Sequence, residues 1–198
     1  MKLVASIAKG LEKEGAKELI ALGAQEVKAS RRYISLEADM ACLYRLHLKS
    51  RLSFRFLREV ARFPCKGPDE LYKAMQCALD WKKWLLPKQS FRVDVTAFSD
   101  RLTHRYYTAL QVKNAIIDLQ RELWDGLRSS IDLQNPDICF HLHLANNQAF
   151  LSVDGSSSSL HKRGYRPAVG NAPIKETLAA GLMRITGWDG TKNLVDPL

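Results

Sequence analysis

The sequence lacks the features that mark several common classes of protein. No run of residues is apolar and long enough to span a membrane, although 46% of the 198 residues are hydrophobic. Residues 1–20 contain neither a sufficient apolar stretch nor a small-residue cleavage site, so we expect no signal peptide. These absences predict a globular protein of the cytoplasm.

Cysteine is scarce and is not arranged for metal binding. The four cysteines lie far apart and form no CxxC pair, which argues against a zinc site and against a disulfide framework. We expect them to be small buried apolar residues. They are Cys42, Cys65, Cys77 and Cys139.

A recognisable active site is also missing, because no nucleophile stands beside a base. His141 and His143 would point to the same side of a strand and could share a metal, but no third ligand has suitable spacing, which favours a structural role. Asp118 and Glu122 lie four residues apart on a predicted helix, where Arg121 indicates an ordinary solvated face. The sequence therefore predicts no catalytic group and no metal ligand.

Positive charge is abundant and unevenly distributed. The formal net charge is +9, and residues 67–155 contribute nothing to the excess, since they hold 10 Lys and Arg against 11 Asp and Glu. Residues 1–66 hold 14 against 7 and residues 156–198 hold 6 against 3. Phosphate backbones are the commonest large partners for such a field, although a membrane surface or simple solubility would also fit.

The first third of the chain has the pattern of a small α+β domain. The predicted elements are a strand over residues 2–8, a helix opened by Gly10, a strand pair over 25–29 and 32–36 turned around Ser30 and Arg31, a helix over 39–49, and a strand over 52–63. The order βαββαβ predicts a ferredoxin-like domain over residues 1–66, a layout that supports many unrelated functions.

Two prolines and a glycine within residues 64–68 predict the first domain boundary. The second unit, residues 67–155, is predicted to contain a helix capped by Asp69, a strand over 91–98, a long helix from Tyr106 to about Leu127, and a hairpin of 138–145 with 148–153 turned at Asn146 and Asn147. Asp154, Gly155 and four serines then lead into a linker.

The last segment, residues 156–198, reads as a basic linker, a helix and a short strand. Pro173 suits a first helical turn, the apolar positions Ile174, Leu178, Leu182 and Ile185 recur at helical spacing, and Gly187 marks the end. A strand over 193–195 that ends in Asp-Pro is how a doubly wound nucleotide-binding domain can begin.

Two groups of cations are candidates for phosphate contact. Arg31 and Arg32 on a tight turn, with the later basic residues Arg45, Lys49, Arg51, Arg55, Arg58 and Arg62, could form one face, and a solvated basic surface explains them equally well. Leu52, Phe54, Phe56 and Val60 are predicted to share a strand face with Arg58 and Arg62. The second group follows the strand over 91–98 and comprises Arg101, His104, Arg105 and Lys113, near Tyr106 and Tyr107.

Three blocks in the final segment carry a resemblance to a known family. They are HKRGYR at residues 161–166, APIKETLAA at 172–180 and LVDP at 194–197. In this order they resemble the THUMP-domain RNA methyltransferases, specifically the branch of bacterial 23S rRNA guanine-N2 methyltransferases. The resemblance covers essentially the whole chain, as the front part of a longer enzyme.

The resemblance implies a THUMP RNA-binding domain over residues 67–155, followed by a linker helix and the first strand of a class I, Rossmann-like methyltransferase domain. In the family, Asp-Pro is followed by a Cys-Gly-Ser-Gly-Thr loop that holds S-adenosylmethionine, and this sequence stops before that loop. Asp196 and Pro197 would open the cofactor site, with Glu176 near the methyl donor. The linker's RNA contacts would be Lys162, Arg163, Tyr165 and Arg166.

The expected function is therefore to position RNA for an S-adenosylmethionine-dependent methyl transfer to a guanine in ribosomal RNA, and this segment alone is expected to be inactive. Methylation of transfer RNA, a free-standing RNA-binding adapter and a THUMP enzyme of transfer-RNA thiolation are the alternatives. The coding sequence after Leu198 discriminates among them, because methyl transfer requires the glycine loop and thiolation requires a phosphate-binding loop.

Overall fold

The computed structural model describes residues 1–98, 104–156, 158–165 and 174–195, which form two compact units. The first unit consists of residues 1–56 together with the described residues from Ser158 onward, and the second begins at Leu57 and ends before Ser158. The domain boundaries proposed from the sequence, after residues 66 and 155, remain predictions. None of the helices among the described residues is both long and apolar enough to cross a membrane.

The strands and helices follow one another as the sequence patterns indicated, with a few additions. The strands are β1 (Lys2–Ile7), β2 (Gln25–Ser30), β3 (Tyr33–Glu37), β4 (Ser53–Pro64), β5 (Ser90–Phe98), β6 (Ser130–Ile131), β7 (Ile138–Ala145) and β8 (Gln148–Asp154). The helices are α1 (Glu12–Ala21), α2 (Met40–Lys49), α3 (Pro68–Cys77), α4 (Trp81–Trp84), α5 (Arg105–Leu123) and α6 (Glu176–Thr186).

The first unit has the predicted ferredoxin-like order βαββαβ. Its strands lie in the order β2-β3-β1-β4, and β1 and β2 pair antiparallel with β3. Alternate residues of β1, Leu3, Ala5 and Ile7, are buried because a strand directs successive side chains to opposite faces. They form one core with apolar residues of α1 and α2.

The turn between β2 and β3 differs by one residue from the prediction. Ser30 still belongs to β2, so the turn is made by Arg31 and Arg32. Arg32 has a φ of +69°, a left-handed conformation that few residues other than glycine adopt. Its backbone carbonyl accepts a hydrogen bond from the Ile7 N–H at 3.0 Å, which fixes the turn against β1.

Helix α2 begins as predicted and buries only part of its apolar residues. The Asp39 side chain caps it by accepting a hydrogen bond from the Cys42 N–H at 2.7 Å. Leu43 and Leu46 are buried, whereas Met40 and Leu48 are exposed.

The second unit contains strands in the order β4-β8-β7-β5-β6. Strands β5 and β7 are parallel and are connected through α5, the usual arrangement for a crossover connection. The predicted hairpin of β7 and β8 is confirmed, and its turn residues Asn146 and Asn147 both have positive φ, 52° and 57°. The short strand β6 was not predicted.

A β-bulge in β4 overturns the prediction that Arg58 and Arg62 share a face. The pairing with β8 shifts between Glu59 and Ala61, so that Val60 is the additional residue. An extra residue reverses the alternation of faces along a strand. Arg58 consequently lies over the Trp84 ring, 5.4 Å from its centroid, and Arg62 lies over Phe150 on the other face at 4.5 Å.

The proline-rich stretch at residues 64–68, predicted to break regular structure, contributes residues to both β4 and α3. Pro64 is the last residue of β4, and the Cys65 N–H donates to the Asn147 carbonyl at 2.8 Å. Helix α3 starts at Pro68 with Gly67 as its N-cap, so Asp69 lies in the first turn and is not the cap.

Helix α6 ends where the sequence predicted, with Gly187 in the left-handed conformation at a φ of 69°. Its buried face is different from the predicted one. Thr177 and Gly181 are buried, while Leu182 and Ile185 are 47% and 59% exposed, because small residues allow the helix to approach α1 closely. Pro173 lies outside the described residues.

The predicted strand over 193–195 is not formed. These three residues are exposed and belong to no regular element. A parallel strand requires a neighbour to receive its backbone hydrogen bonds, and no strand pairs with this segment in the described part of the chain.

Candidate nucleic-acid interface

The tip of the β2–β3 hairpin presents two exposed arginines. Neither Arg31 nor Arg32 forms a side-chain hydrogen bond or ion pair with another described residue. Glu12 holds the turn in place, because its carboxylate accepts the Arg32 N–H at 3.0 Å and the Gly10 N–H at 2.7 Å. The hydrogen bond from the Arg32 backbone is the main reason why the pKa of Glu12 is lowered. Both guanidinium groups are thus displayed from a fixed turn.

The start of α5 displays the second set of predicted contacts. His104 caps the helix, its Nδ1 accepting a hydrogen bond from the Tyr107 N–H at 3.4 Å. Arg105 is exposed, and Tyr106 and Tyr107 are 70% and 53% exposed. Solvent-exposed aromatic side chains next to a cation are well suited to stack on unpaired bases.

Lys113 lies two turns further along α5 and is half-buried, whereas the predicted contact Arg101 lies outside the described residues. On a helix, Lys113 is seven residues after Tyr106 and so projects from nearly the same side. The structure therefore brings His104, Arg105, Tyr106 and Lys113 onto one helix.

The linker residues fall into two groups. Arg163 is bound by its own unit: its Nε donates to the Leu160 carbonyl at 2.9 Å, and its Nη1 and Nη2 donate to the carbonyls of Leu48 and Ser50 at 3.2 and 2.7 Å. These two carbonyls belong to the C-terminal end of α2, where a cation is favoured. Three of its five N–H donors are used, and two remain.

Lys162 and Tyr165 are exposed, and Tyr165 has 68% of its surface accessible. The fourth predicted contact, Arg166, lies outside the described residues. Neither Lys162 nor Tyr165 makes a side-chain hydrogen bond with another described residue. Both side chains are therefore available to a ligand.

A cationic environment surrounds His161, next to the linker. Its ring meets the Phe54 ring edge-on, with the centroids 6.2 Å apart, and Lys175 Nζ lies over the same Phe54 ring, 5.4 Å from its centroid. Burial lowers the pKa of His161, Glu176 opposes this effect, and the cations Lys175, Lys162 and Arg55 add to it. Three cations and a single carboxylate thus act on one imidazole.

Two of the remaining cations of the predicted arginine face have structural partners. Arg45 donates to the Leu22 carbonyl at 3.0 Å, and Arg62 pairs with Glu59 at 3.2 Å. Lys49 and Arg51 instead line a cleft in the first unit, with a volume of about 1060 Å³. Sequence patterns could not predict this cleft, because its walls come from residues 48–51, the linker and α6.

Glu176 is the one predicted cofactor residue that the structure describes, since Asp196 and Pro197 lie outside the described residues. It is half-buried in the first turn of α6 and lines the same cleft. A carboxylate in this position fits an amino group such as that of S-adenosylmethionine. The described residues supply no glycine loop for the rest of the molecule.

The two histidines of β7 have the predicted hydrogen-bonded role. Thr96 Oγ1 lies 3.0 Å from His143 Nδ1 and 3.4 Å from His141 Nε2. Burial lowers the pKa of His143. Over the part of the chain that the structure describes, no group of three His, Cys, Asp or Glu side chains could hold a metal ion.

Asp118 also has a structural partner. Its Oδ2 accepts a hydrogen bond from the Tyr72 hydroxyl at 2.8 Å, and its Oδ1 lies 3.5 Å from Arg121 Nη1. The pair with Arg121 is what a solvated helix face predicts, and the contact with Tyr72 is an additional structural one.

Three protein families match successive parts of the chain. The RlmL ferredoxin-like domain matches residues 2–57, the THUMP domain matches residues 65–154, and the RMKL-like methyltransferase domain matches residues 163–198. The order of the three matches is that of the elements described above.

Similar proteins carry related names and are longer. A putative RNA methyltransferase of Synechocystis is 43% identical over 98% of this chain and 50% of its own length. The ribosomal RNA large subunit methyltransferase K/L of Syntrophotalea carbinolica is 41% identical over 100% of this chain and 28% of its own length. The chain thus spans half or less of the length of these two relatives.

The fold also has close counterparts among solved structures. A putative methyltransferase complexed with SAH superposes with a TM-score of 0.80, at 25% identity, over 96% of this chain and 50% of that chain.

Proposed function

We propose that this chain is the RNA-binding part of an enzyme that transfers a methyl group from S-adenosylmethionine to RNA. An RlmL ferredoxin-like domain, a THUMP domain and an RMKL-like methyltransferase domain match it in succession, and a putative RNA methyltransferase is 43% identical to it, which supports the proposal. The family's methyltransferase match begins at residue 163 and includes α6. The residues before this match include the THUMP match, and the role that we propose for them is to hold the substrate. Methyl transfer to a base depends mainly on the correct positioning of that base beside the methyl donor. A separate RNA-binding region provides this positioning.

The observation that carries the proposal is the display of cations and tyrosines at the start of α5, within the THUMP match. Arg105, Tyr106 and Tyr107 are exposed, and the guanidinium of Arg105 has no partner among the described residues. Structural cations are usually paired or hydrogen-bonded, as Arg45 and Arg163 are here. We assign the side chains at this helix start to an unstacked RNA base and the phosphates that flank it.

The substrate that we propose is ribosomal RNA, with a guanine N2 as the methyl acceptor. The name of the Syntrophotalea relative supports ribosomal RNA as the substrate. The LVDP block at residues 194–197 supports the resemblance to the 23S rRNA guanine-N2 methyltransferases. S-adenosylmethionine is the proposed methyl donor, supported by the SAH complex of the related structure. The location that we propose is the cytoplasm, where such RNA is processed.

The proposal is tested by binding of the full 198-residue chain to fluorescently labelled nucleic acids. We expect binding to a single-stranded or looped ribosomal RNA fragment in the micromolar range at low salt, and weaker binding to a DNA duplex of equal length. A transfer RNA transcript is the third probe. Absence of RNA binding at low salt, or equal binding of DNA, would contradict the proposal, and a preference for transfer RNA would replace the proposed substrate.

A further inference from the structure

The cleft in the first unit has the composition of an anion site. It is lined by the exposed cations Lys49 and Arg51, by Arg163 with two N–H donors still available, and by one carboxylate, Glu176. The balance of charge in its lining is therefore positive. Tyr165 lies beside these residues in the same lining.

The N-terminus of α6 opens into this cleft. Lys175 is the N-cap and provides no side-chain cap, while the N–H groups of Leu178 and Ala179 already donate to its carbonyl. The backbone N–H groups of Glu176 and Thr177 form no hydrogen bond to another described residue. A helix of eleven residues concentrates partial positive charge at such an end.

An unsatisfied hydroxyl is present at the same place. Thr177 is only 3% exposed, and its Oγ1 has no hydrogen-bond partner. A buried hydroxyl without a partner is costly and rare in native proteins, and a ligand, a water molecule or an ion can complete it. Thr177 is one of the residues that line the cleft.

From these features we propose that the cleft binds a phosphodiester group of the RNA, held by Lys49, Arg51 and the N-terminal turn of α6, with Thr177 donating its hydroxyl. The inference rests on the proposed RNA-binding function and adds a second contact point, in the first unit. Oriented N–H groups at a helix start together with cations suit phosphate oxygens, and the neighbouring Tyr165 suits a base or ribose.

The central test is Thr177→Val, which replaces the hydroxyl by a methyl group of similar size. We expect RNA affinity to fall roughly tenfold, as for loss of a hydrogen bond to a charged group, while the midpoint of thermal unfolding stays unchanged or rises. A purely structural hydroxyl predicts the opposite pattern: unchanged RNA affinity with a lowered midpoint. The Lys49→Ala/Arg51→Ala double variant should lower the slope of log affinity against log salt by about one to two.

The matched control is Lys13→Ala, which removes an exposed lysine of α1 in the same unit, outside the cleft lining. It should leave both the affinity and the salt slope close to those of the wild-type chain. If wild-type protein binds RNA and all three variants bind equally well, the cleft is not a phosphate site although the proposed function stands. Failure of the wild-type chain to bind RNA overturns the proposed function itself.

Inorganic phosphate and S-adenosylmethionine serve as separate probes in thermal unfolding experiments. We expect neither, at millimolar concentration, to stabilise the chain as much as the RNA fragment does at saturation. Stabilisation by phosphate that Thr177→Val abolishes, with RNA affinity unchanged, would make the cleft a free-phosphate site. Stabilisation by S-adenosylmethionine that this variant abolishes would assign the cleft to the methyl donor. Either result overturns the RNA assignment.

Discussion

The guanidinium Nη1 of Arg184 lies 3.1 Å from the carboxylate Oε1 of Glu18, although 166 positions separate them in the sequence. The pair connects α1 to α6, the helix that lies within the methyltransferase match. Glu18 is 5% exposed and also accepts hydrogen bonds from the Ser50 hydroxyl and the N–H groups of Arg51 and Leu52. One carboxylate thus organises the end of α2, the start of β4 and the position of α6.

We therefore expect Glu18→Ala to destabilise the chain by about 2 to 4 kcal/mol, because it leaves several buried donors without an acceptor. Urea unfolding followed by circular dichroism measures this change. Arg184→Ala should cost no more than about 1 kcal/mol, since its side chain is 40% exposed and solvent screens the pair. The control is Glu14→Ala, one turn earlier on α1, which removes a surface pair with Lys17 and should leave the midpoint unchanged. Equal effects at Glu14 and Glu18 would contradict this account.

The close approach of α6 to α1 depends on Gly181. A Cβ at this position would collide with the side chain of Leu11, a buried residue. Gly181→Ala gains helix propensity of about 1 kcal/mol, but we expect overpacking of about 1 to 3 kcal/mol to outweigh it. Its unfolding midpoint should fall, and adding Leu11→Ala should make the Gly181 substitution neutral or favourable. A raised unfolding midpoint of Gly181→Ala alone would contradict this expectation, because it would show that the Leu11 side chain moves aside at little cost.

The four thiols should differ widely in reactivity. Burial raises the pKa of Cys139 to about 11 and also raises the pKa of Cys42 and Cys65, so few of these thiols are ionised near pH 8. Cys77 is exposed at the end of α3. Ellman's reagent should therefore titrate one fast thiol in the native chain and all four after denaturation. Cys77→Ser should remove the fast phase, and persistence of that phase would contradict the burial of the others.

The order of elements was predictable from the sequence because local patterns determine it. The Asp39 cap of α2, the Asn146–Asn147 turn and the end of α6 at Gly187 were all read from single residues with strong backbone preferences. The bulge at Val60 was not predictable, since pairing with β8 creates it.

The buried face of α6 was mispredicted for a related reason. Periodicity selected its largest apolar residues, such as Leu182 and Ile185, but the face that packs on α1 is made of small ones. The roles of the cations also depend on tertiary contacts. Arg163 and Lys162 are neighbours of equal charge, yet only Arg163 meets the carbonyls at the end of α2. Charge patterning alone cannot distinguish a structural cation from an available one.

Acid should destabilise the second unit before its carboxylates are protonated. Burial lowers the pKa of His143 in the folded chain below its ordinary value of about 6.5, so the unfolded chain binds more protons in mild acid. Stability that is fully present above about pH 6.5 is therefore lost as the pH falls below it, and burial of His161 acts in the same direction. His143→Asn, which retains a hydrogen-bonding group near Thr96, should flatten the fall in the unfolding midpoint between about pH 6.5 and 5. The exposed His104→Asn variant should retain the wild-type slope, and an unchanged slope in His143→Asn would contradict the assignment.

The salt dependence of RNA affinity should show how many cations contact RNA and which surface binds it. Each phosphate neutralised contributes roughly 0.7 to 0.9 to the slope of log affinity against log salt, so the Arg31→Ala/Arg32→Ala pair should lower the slope by about one to two units if both arginines contact phosphate. Arg105→Ala/Lys113→Ala should do the same from α5, whereas Tyr106→Ala should weaken binding about tenfold at every salt concentration, because stacking releases no counterions. Lys13→Ala/Lys73→Ala, one exposed lysine from each unit, is the control for the loss of two charges. The two sets of cations lie on separate elements, so their contributions can be measured separately. If Arg31→Ala/Arg32→Ala leaves the slope unchanged while Arg105→Ala/Lys113→Ala abolishes binding, the second unit alone binds the RNA.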